Sequence, residues 1–368
     1  MLNKIPLSSS DVDLDLKIDL SSLSKEPITD FEVVLENYFQ DDNKVVALNS
    51  GTSAIHLALI LSGVKKDDIV LCQSLTFIAS INPVLYQQAI PIFIDSENET
   101  WNMCPFQLEI AIKQCIQKGN KPKAIIFVHL YGMPAKVDEI VAISKKYNIT
   151  LIEDAAEALG SEYKGEKCGT FGDFGIISFN NNKIITSFGG GALICKDLNT
   201  KKKAIYLATQ AKDEAINYEH SSVGYNYRLS SVLSLIGIEQ MKSLKDCIRR
   251  RRSINKFYEF LFEKNKDINL FKEHSNIQFS NHWLSVIIVK ELFQGMTKEN
   301  IRLSLLKDNI ESRPIWKPMH LQPIFKKYKC YGGKVSEELF NKGLCLPSGS
   351  SLTKLDIKRI SESMNKIL

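Results

Sequence analysis

The sequence predicts an α/β protein built on a mostly parallel sheet covered on both faces, followed by a smaller C-terminal unit. Three observations carry this. Through roughly the first half of the chain, short apolar runs alternate with stretches of helical periodicity, as buried parallel strands and their crossover helices do. The chain has 368 residues, 44% of them hydrophobic, and single cores stop growing near about 250–300 residues. Beyond about residue 230 the alternation gives way to one long helical stretch and shorter mixed elements.

The elements follow in order. Val45-Val-Ala-Leu48 reads as a strand and leads into a helix through Ala54–Leu61. Further strands are Asp68–Leu71, Ile90–Ile94 and Lys123–Val128, then a helix over Val137–Tyr147. Thr150–Glu153, Gly175–Phe179 and Gly191–Cys195 complete the series, since each is a short run of apolar residues bounded by turn formers. A long helix is predicted from Ser231 to about Lys264, a strand-like run over Trp283–Val289 and a last helix from Lys354. The expected division is a large unit over residues 13–240 and a small α/β unit over 241–368.

Composition excludes several classes. The net charge of +5 is spread along the chain, so no nucleic-acid footprint is indicated. The eight cysteines show no CxxC spacing and no His/Cys cluster, which argues against a metal centre and for reduced thiols in the cytoplasm. Met1 is followed by Leu-Asn-Lys-Ile-Pro, without the apolar stretch of a signal peptide, and no run approaches the roughly 20 apolar residues of a membrane span. No internal repeat is visible.

The chemistry concentrates in a few segments. Asn49-Ser-Gly-Thr-Ser-Ala54 follows a strand and opens a helix, so backbone N–H groups and the Thr52 and Ser53 hydroxyls would face an anion there; plain helix capping is the competing reading. Asp154 ends a strand where open parallel sheets bind ligands, and a carboxylate there can pair with a protonated pyridine nitrogen. Lys183 stands just before the glycine turn Gly189-Gly-Gly191. A Schiff-base lysine, a pyridinium partner and a phosphate cradle together point to pyridoxal phosphate. Phe77 follows the strand near Cys72 and either stacks on a flat ring or packs in the core. His129 receives no role. The Arg249–Arg252 run falls on a predicted helix, where a solvated, domain-linking face is expected rather than nucleic-acid contact.

Taken together, Ser50-Gly-Thr-Ser53, Glu153-Asp-Ala-Ala-Glu157, Gly169-Thr-Phe-Gly-Asp173, Ser178-Phe-Asn-Asn-Asn-Lys183, Gly224-Tyr-Asn-Tyr-Arg228 and Arg313-Pro-Ile-Trp-Lys-Pro-Met-His320 make the chain resemble the DegT/StrS family of nucleotide-sugar aminotransferases, from about residue 30 to Pro347. Within it, Tyr218-Glu-His220 and Leu346-Pro-Ser-Gly349 add a resemblance to bacterial UDP-4-amino-sugar enzymes of the bacillosamine type. The resemblance implies a type I aminotransferase fold with a seven-stranded-type sheet, acting as a homodimer with shared active sites on a nucleotide sugar and L-glutamate. It makes Lys183 the Schiff-base lysine, Asp154 the pyridinium partner and Phe77 the stacking ring. Thr52, Ser53 and Ser178 become phosphate ligands, and Asn226 reaches the partner's cofactor phosphate. Glu157 falls beside the cofactor's phenolic oxygen, where an ionised carboxylate would be repelled, so it is expected to be protonated or turned aside. Arg228, Arg313 and Lys317 are candidates for the donor carboxylate and sugar diphosphate, and Trp316 and His320 for the sugar pocket.

One departure concerns the segment between Ile5-Pro-Leu-Ser8 and Phe31-Glu32, which is short for the family and carries Ser21-Ser-Leu-Ser24 in place of the usual glycines. Two rivals differ in prediction. A dehydratase on this fold carries His where this chain has Lys183, and a non-catalytic regulator would bind the cofactor without transferring an amine.

Overall fold

The computed structural model describes residues 3–10, 26–40, 42–290 and 297–367; the Ser21–Ser24 stretch lies outside them. The main sheet has eight strands in the order Lys44–Leu48, Gly191–Cys195, Phe174–Ser178, Thr150–Asp154, Ala124–Val128, Ile69–Gln73, Ile90–Ile94 and Cys330–Tyr331. All run parallel except Gly191–Cys195, which is antiparallel to both neighbours. Seven of these strands are those the sequence marks, within two residues at their ends; the eighth is a two-residue edge strand contributed from the C-terminal third.

Alternate residues of each strand feed opposite cores, as a sheet covered on both faces requires. Val46, Leu48, Ile126, Ile152, Ile176 and Leu193 join one cluster with the helices Gly51–Leu61 and Leu198–Ala208. Val45, Ala47, Ile177 and Ile194 join a second with the helix Pro27–Phe39 and part of the long helix Ser231–Phe262. Leu71, Ile125, Phe127 and Leu151 join a third under the helices Pro105–Gln117 and Val137–Tyr147. A four-stranded antiparallel sheet, ordered Ile268–Leu270, Ser285–Val289, Gly343–Leu346, Arg313–Pro314, forms the second unit. The long helix runs through residue 240 and packs on both units.

The exposed edge of the main sheet is closed by charge. On the helix Pro27–Phe39, Glu36 accepts from Val45 N–H (2.9 Å) and buried Glu32 from Ala47 N–H (2.8 Å). Unpaired edge donors would otherwise template pairing with another chain. Glu32 also holds Arg228 (2.5 Å) and Lys201 (3.2 Å). Glu32→Ala leaves two cations and one strand N–H without this partner, so chemical denaturation should show a loss of about 3–5 kcal/mol, with Glu32→Gln losing less because it can still accept from Ala47.

The arginine run resolves differently from expectation at one position. Arg251 is fully buried, because the helix turns it inward to bind the carbonyls of Trp283 and Ser348 and the Ser8 hydroxyl. Arg249 remains exposed and pairs with Asp246.

Candidate active site

A cavity of about 290 Å³ opens at the carboxyl ends of the parallel strands, the end at which open α/β sheets place ligands. Each strand delivers one part of its wall. Lys44–Leu48 leads to Asn49–Thr52, Phe174–Ser178 ends on Ser178, and Thr150–Asp154 ends on Asp154. Phe77, Glu157, Asn180, Asn182, Lys183, Trp283 and Trp316 complete the lining that matters chemically.

One end is a cradle for an anion. Ser50 caps the helix Gly51–Leu61 by accepting from Ser53 N–H (3.1 Å), leaving the other first-turn donors facing the cavity. Gly191 admits the turn that opens this helix, since a Cβ there would lie 2.4 Å from Gly51 N. Thr52 and Ser178 line this end, whereas the Ser53 hydroxyl is spent on Asn49 Oδ1 (2.6 Å) and Ser53 lies behind the wall.

Asp154 is buried and accepts from Ser80 Oγ (2.6 Å) and Ala156 N–H (3.1 Å). Burial pushes its carboxyl up, against those two hydrogen bonds. Glu157 is raised as well, again by burial, with Lys183 opposing; its Oε2 accepts from Tyr131 N–H (2.7 Å). Tyr131 supplies that donor from a left-handed backbone (φ 55°), a conformation bulky residues adopt only under constraint.

Lys183 Nζ lies 3.8 Å from Glu157 Oε1 and 4.3 Å from the centre of the Trp283 ring. One buried polar atom on a cavity residue, Asn182 Oδ1, lacks a hydrogen-bond partner among the described residues. Buried polar groups ordinarily find partners. An enclosed amine, a buried carboxyl without a cationic hydrogen-bond partner, a helix-terminus cradle and an unpaired amide oxygen fit a phosphorylated pyridine aldehyde.

The remaining candidates lie apart. Arg228 does not line the cavity, and its Nη1 is held by Glu32 and Ala47 O. Arg313 is exposed and pairs with Glu311, and Lys317 is exposed outside the cavity. His320 is held between Ser74 Oγ (2.6 Å) and Glu337 (3.0 Å). Asn226 is exposed, and its carbonyl accepts from Asn49 Nδ2 (3.2 Å). Ser80, Asn182 and Trp283 escaped the sequence reading; a serine, an asparagine and a tryptophan in separate segments give no local signal.

His129 is structural. Its Nδ1 accepts from Ala135 N–H (3.0 Å), so Nε2 carries the proton and donates to Glu153 (2.7 Å). Glu153 also accepts from the backbone of Gly169, Phe171 and Gly172, leaving this His129–Glu153–Cys168 cluster no spare ligand atoms on the first two residues.

His56, on the cradle helix, bonds Tyr227 OH (3.1 Å) and Gln87 (2.7 Å), next to Asn226. Burial holds its ring down at about 4. Above the ordinary histidine value near 6.5 both folded and unfolded forms are neutral and the full stability is present. Below it, only the unfolded chain takes a proton readily, so stability should fall from about pH 6.5 towards 4. His56→Leu should flatten that part of a melting-temperature profile.

None of the described helices is long and apolar enough to cross a membrane, and all eight cysteines are unpaired. Residues 20–365 match the DegT/DnrJ/EryC1/StrS aminotransferase family. EpsN of Bacillus subtilis (strain 168), provisionally named a pyridoxal phosphate-dependent aminotransferase, is 47% identical over 320 residues, 86% of this chain and 81% of EpsN. The UDP-4-amino-4,6-dideoxy-N-acetyl-beta-L-altrosamine transaminase of Campylobacter jejuni (serotype O:23/36, strain 81-176) is 33% identical, covering 98% of this chain and 96% of its own. Among solved structures, a DegT/DnrJ/EryC1/StrS aminotransferase from Brucella abortus superposes with a TM-score of 0.86 at 28% identity, over 93% of this chain and 90% of the other. A match that spans both units and every strand of the cavity wall leaves one assignment: the chain belongs to the DegT/DnrJ/EryC1/StrS aminotransferase family and is a pyridoxal phosphate-dependent sugar aminotransferase.

Proposed function

We propose that the protein moves an amino group from L-glutamate to C4 of a UDP-4-keto-6-deoxy-N-acetylhexosamine, giving a UDP-4-amino sugar for surface glycan synthesis. The observation that carries the reading is the enclosed Lys183 amine beside Glu157, in one cavity with Asp154. The Campylobacter relative, which aligns with this chain over nearly its whole length, supports the nucleotide and the amine position. A GDP-linked 4-keto sugar is the second reading, favoured by the 36% identity of GDP-perosamine synthase from Escherichia coli O157:H7 over 90% of this chain and 88% of the synthase.

Pyridoxal phosphate, when bound, supplies the electron sink and stores the amino group between the two substrates. Thr52, Ser178 and the first turn of the helix Gly51–Leu61 would hold its phosphate, Phe77 would face its ring and Asp154 its ring nitrogen. Lys183 Nζ then removes the proton from the α-carbon of the amino donor. In the return half-reaction it delivers a proton to the sugar carbon that receives the amine. Glu157, whose burial favours the neutral form, sits beside that nitrogen without forcing a full negative charge on it.

Among the described residues lining the cavity, Lys183 is the only lysine and there is no arginine. Two anionic substrates need cations, so we assign the missing charge to a second copy of the chain, in a homodimer whose Asn226 and neighbouring segments close the partner's cavity. The unpaired thiols suit the reducing cytoplasm.

A single-turnover titration tests the substrate. The protein is converted to its amine-loaded form with L-glutamate, freed of donor, and given UDP-4-keto-6-deoxy-N-acetylglucosamine. Return of the aldehyde-form absorbance, with a UDP-amino sugar by mass, is the expected result. Bleaching by glutamate without that return would overturn the UDP assignment and direct the same assay to GDP- and dTDP-ketosugars.

A further inference from the structure

We propose that Trp283 is the positioning residue of Lys183, a cradle that holds the free amine in the cavity whenever it is not bonded to the cofactor. This rests on the reading of Lys183 as the residue that captures the aldehyde.

Trp283 reaches the lysine in two ways. Its ring lies 4.3 Å below Nζ, within the roughly 6 Å over which an aromatic face attracts an ammonium group, most effectively when water is excluded. Its indole N–H donates to Asn182 O (2.8 Å), the carbonyl immediately before Lys183. One side chain therefore fixes both the base and the tip of the lysine. A lysine carries its amine on a flexible four-carbon stem, and Lys183 Nζ lies 3.8 Å from Glu157 Oε1, beyond hydrogen-bond reach, so an amine that must reach the same carbon in both half-reactions gains from such a seat.

The seat itself is rigid. Trp283 is 1% exposed, and it follows His282, whose backbone is left-handed (φ 46°). Its N–H donates to Asn281 Oδ1 (2.8 Å), while Asn281 Nδ2 donates to Glu157 O (3.0 Å) and Leu159 O (2.9 Å). Arg251, buried, donates to the Trp283 carbonyl. Asn281 thus ties Trp283 to the loop carrying Glu157, so the π face and the carboxyl flanking Nζ move together. The Ser8 hydroxyl donates to the same Asn182 carbonyl (2.9 Å), and Ser10 to the carbonyl of Lys183 (2.5 Å), which leaves the lysine loop little freedom except at the side chain.

The experiment separates the lysine from the rest of the cofactor site. Protein stripped of cofactor is mixed with pyridoxal phosphate, and capture is followed by stopped-flow absorbance; pyridoxamine phosphate, which forms no bond to lysine, is titrated by calorimetry. Trp283→Leu should slow capture about tenfold or more while pyridoxamine phosphate binds within about twofold of wild type. Trp283→Phe, which keeps a π face and loses the bond to Asn182, should fall between. Capture by Trp283→Leu at the wild-type rate would overturn the proposal, as would a parallel loss of affinity for pyridoxamine phosphate, since Trp283 would then be a wall of the cofactor pocket alone. Should the leucine variant fail to fold, Trp283→Phe decides by the same two readouts, a rate equal to wild type overturning the proposal. Lys183→Ala is the control: capture that persists there removes the lysine assignment itself and is distinguishable from failure at Trp283.

Discussion

Lys183→Ala is expected to lose amino transfer by about 10³- to 10⁴-fold or more, while the melting temperature changes little. The argument is geometric. Among the described residues of the cavity wall Nζ is the one lysine amine, enclosed between Glu157 Oε1 and the Trp283 ring. The parts that would hold the cofactor lie elsewhere, at Thr52, Ser178 and Asp154. Binding of pyridoxamine phosphate should therefore survive in the alanine variant even though turnover does not. Initial rates with glutamate and a ketosugar, beside a calorimetric titration, read the two quantities separately. Near-wild-type turnover in this variant would remove the central assignment.

The reason this lysine could be found in the sequence is that its partners are local to sheet topology. Strands read as apolar runs, ligands bind at their carboxyl ends, and Asp154 and Ser178 each end a strand while Thr52 sits in the first turn of the helix that follows one. The two antiparallel pairings of Gly191–Cys195 did not matter to that reading, because its glycine turn enters the cavity from the same end. What the sequence hid depends on folding partners far along the chain. Arg228 reads as a substrate cation until Glu32, 196 residues earlier, captures it. Trp283 reads as the start of a strand, yet the strand begins at Ser285. The left-handed His282 and the bonds of Asn281 turn Trp283 out of the sheet and under Lys183. Arg251 reads as one of four solvated arginines, and only the packing of the segment around Ser8 and of Ser348 against its helix shows it to be interior. Local pattern thus specifies the strand-end residues, while the residues that orient them depend on tertiary contacts.

Asp154→Asn should separate stability from function in opposite directions. Burial raises the Asp154 carboxyl above its ordinary value, with only Ser80 and Ala156 donating to it. A carboxyl whose folded value is raised contributes stability that is fully present below the unfolded value, near 3.9, and lost as pH rises through the folded one. In the cofactor-free protein Asp154 is therefore a liability at neutral pH. Asparagine keeps the shape without charge: its amide oxygen can accept from Ala156 N–H and its amide nitrogen can donate to Ser80 Oγ, so the cofactor-free variant should melt at the same temperature as wild type near pH 4 and at a higher one by pH 7. Catalysis should move the other way. A neutral amide cannot hold a proton on the ring nitrogen of the cofactor as a carboxylate can, and turnover should fall by about 10²-fold or more. Melting curves across that pH range, run beside single-turnover rates, read both effects on one variant. A variant that is no more stable without cofactor yet loses turnover would show that Asp154 is charged through some other compensation; one that gains stability and keeps turnover would show that its charge serves no purpose in the reaction.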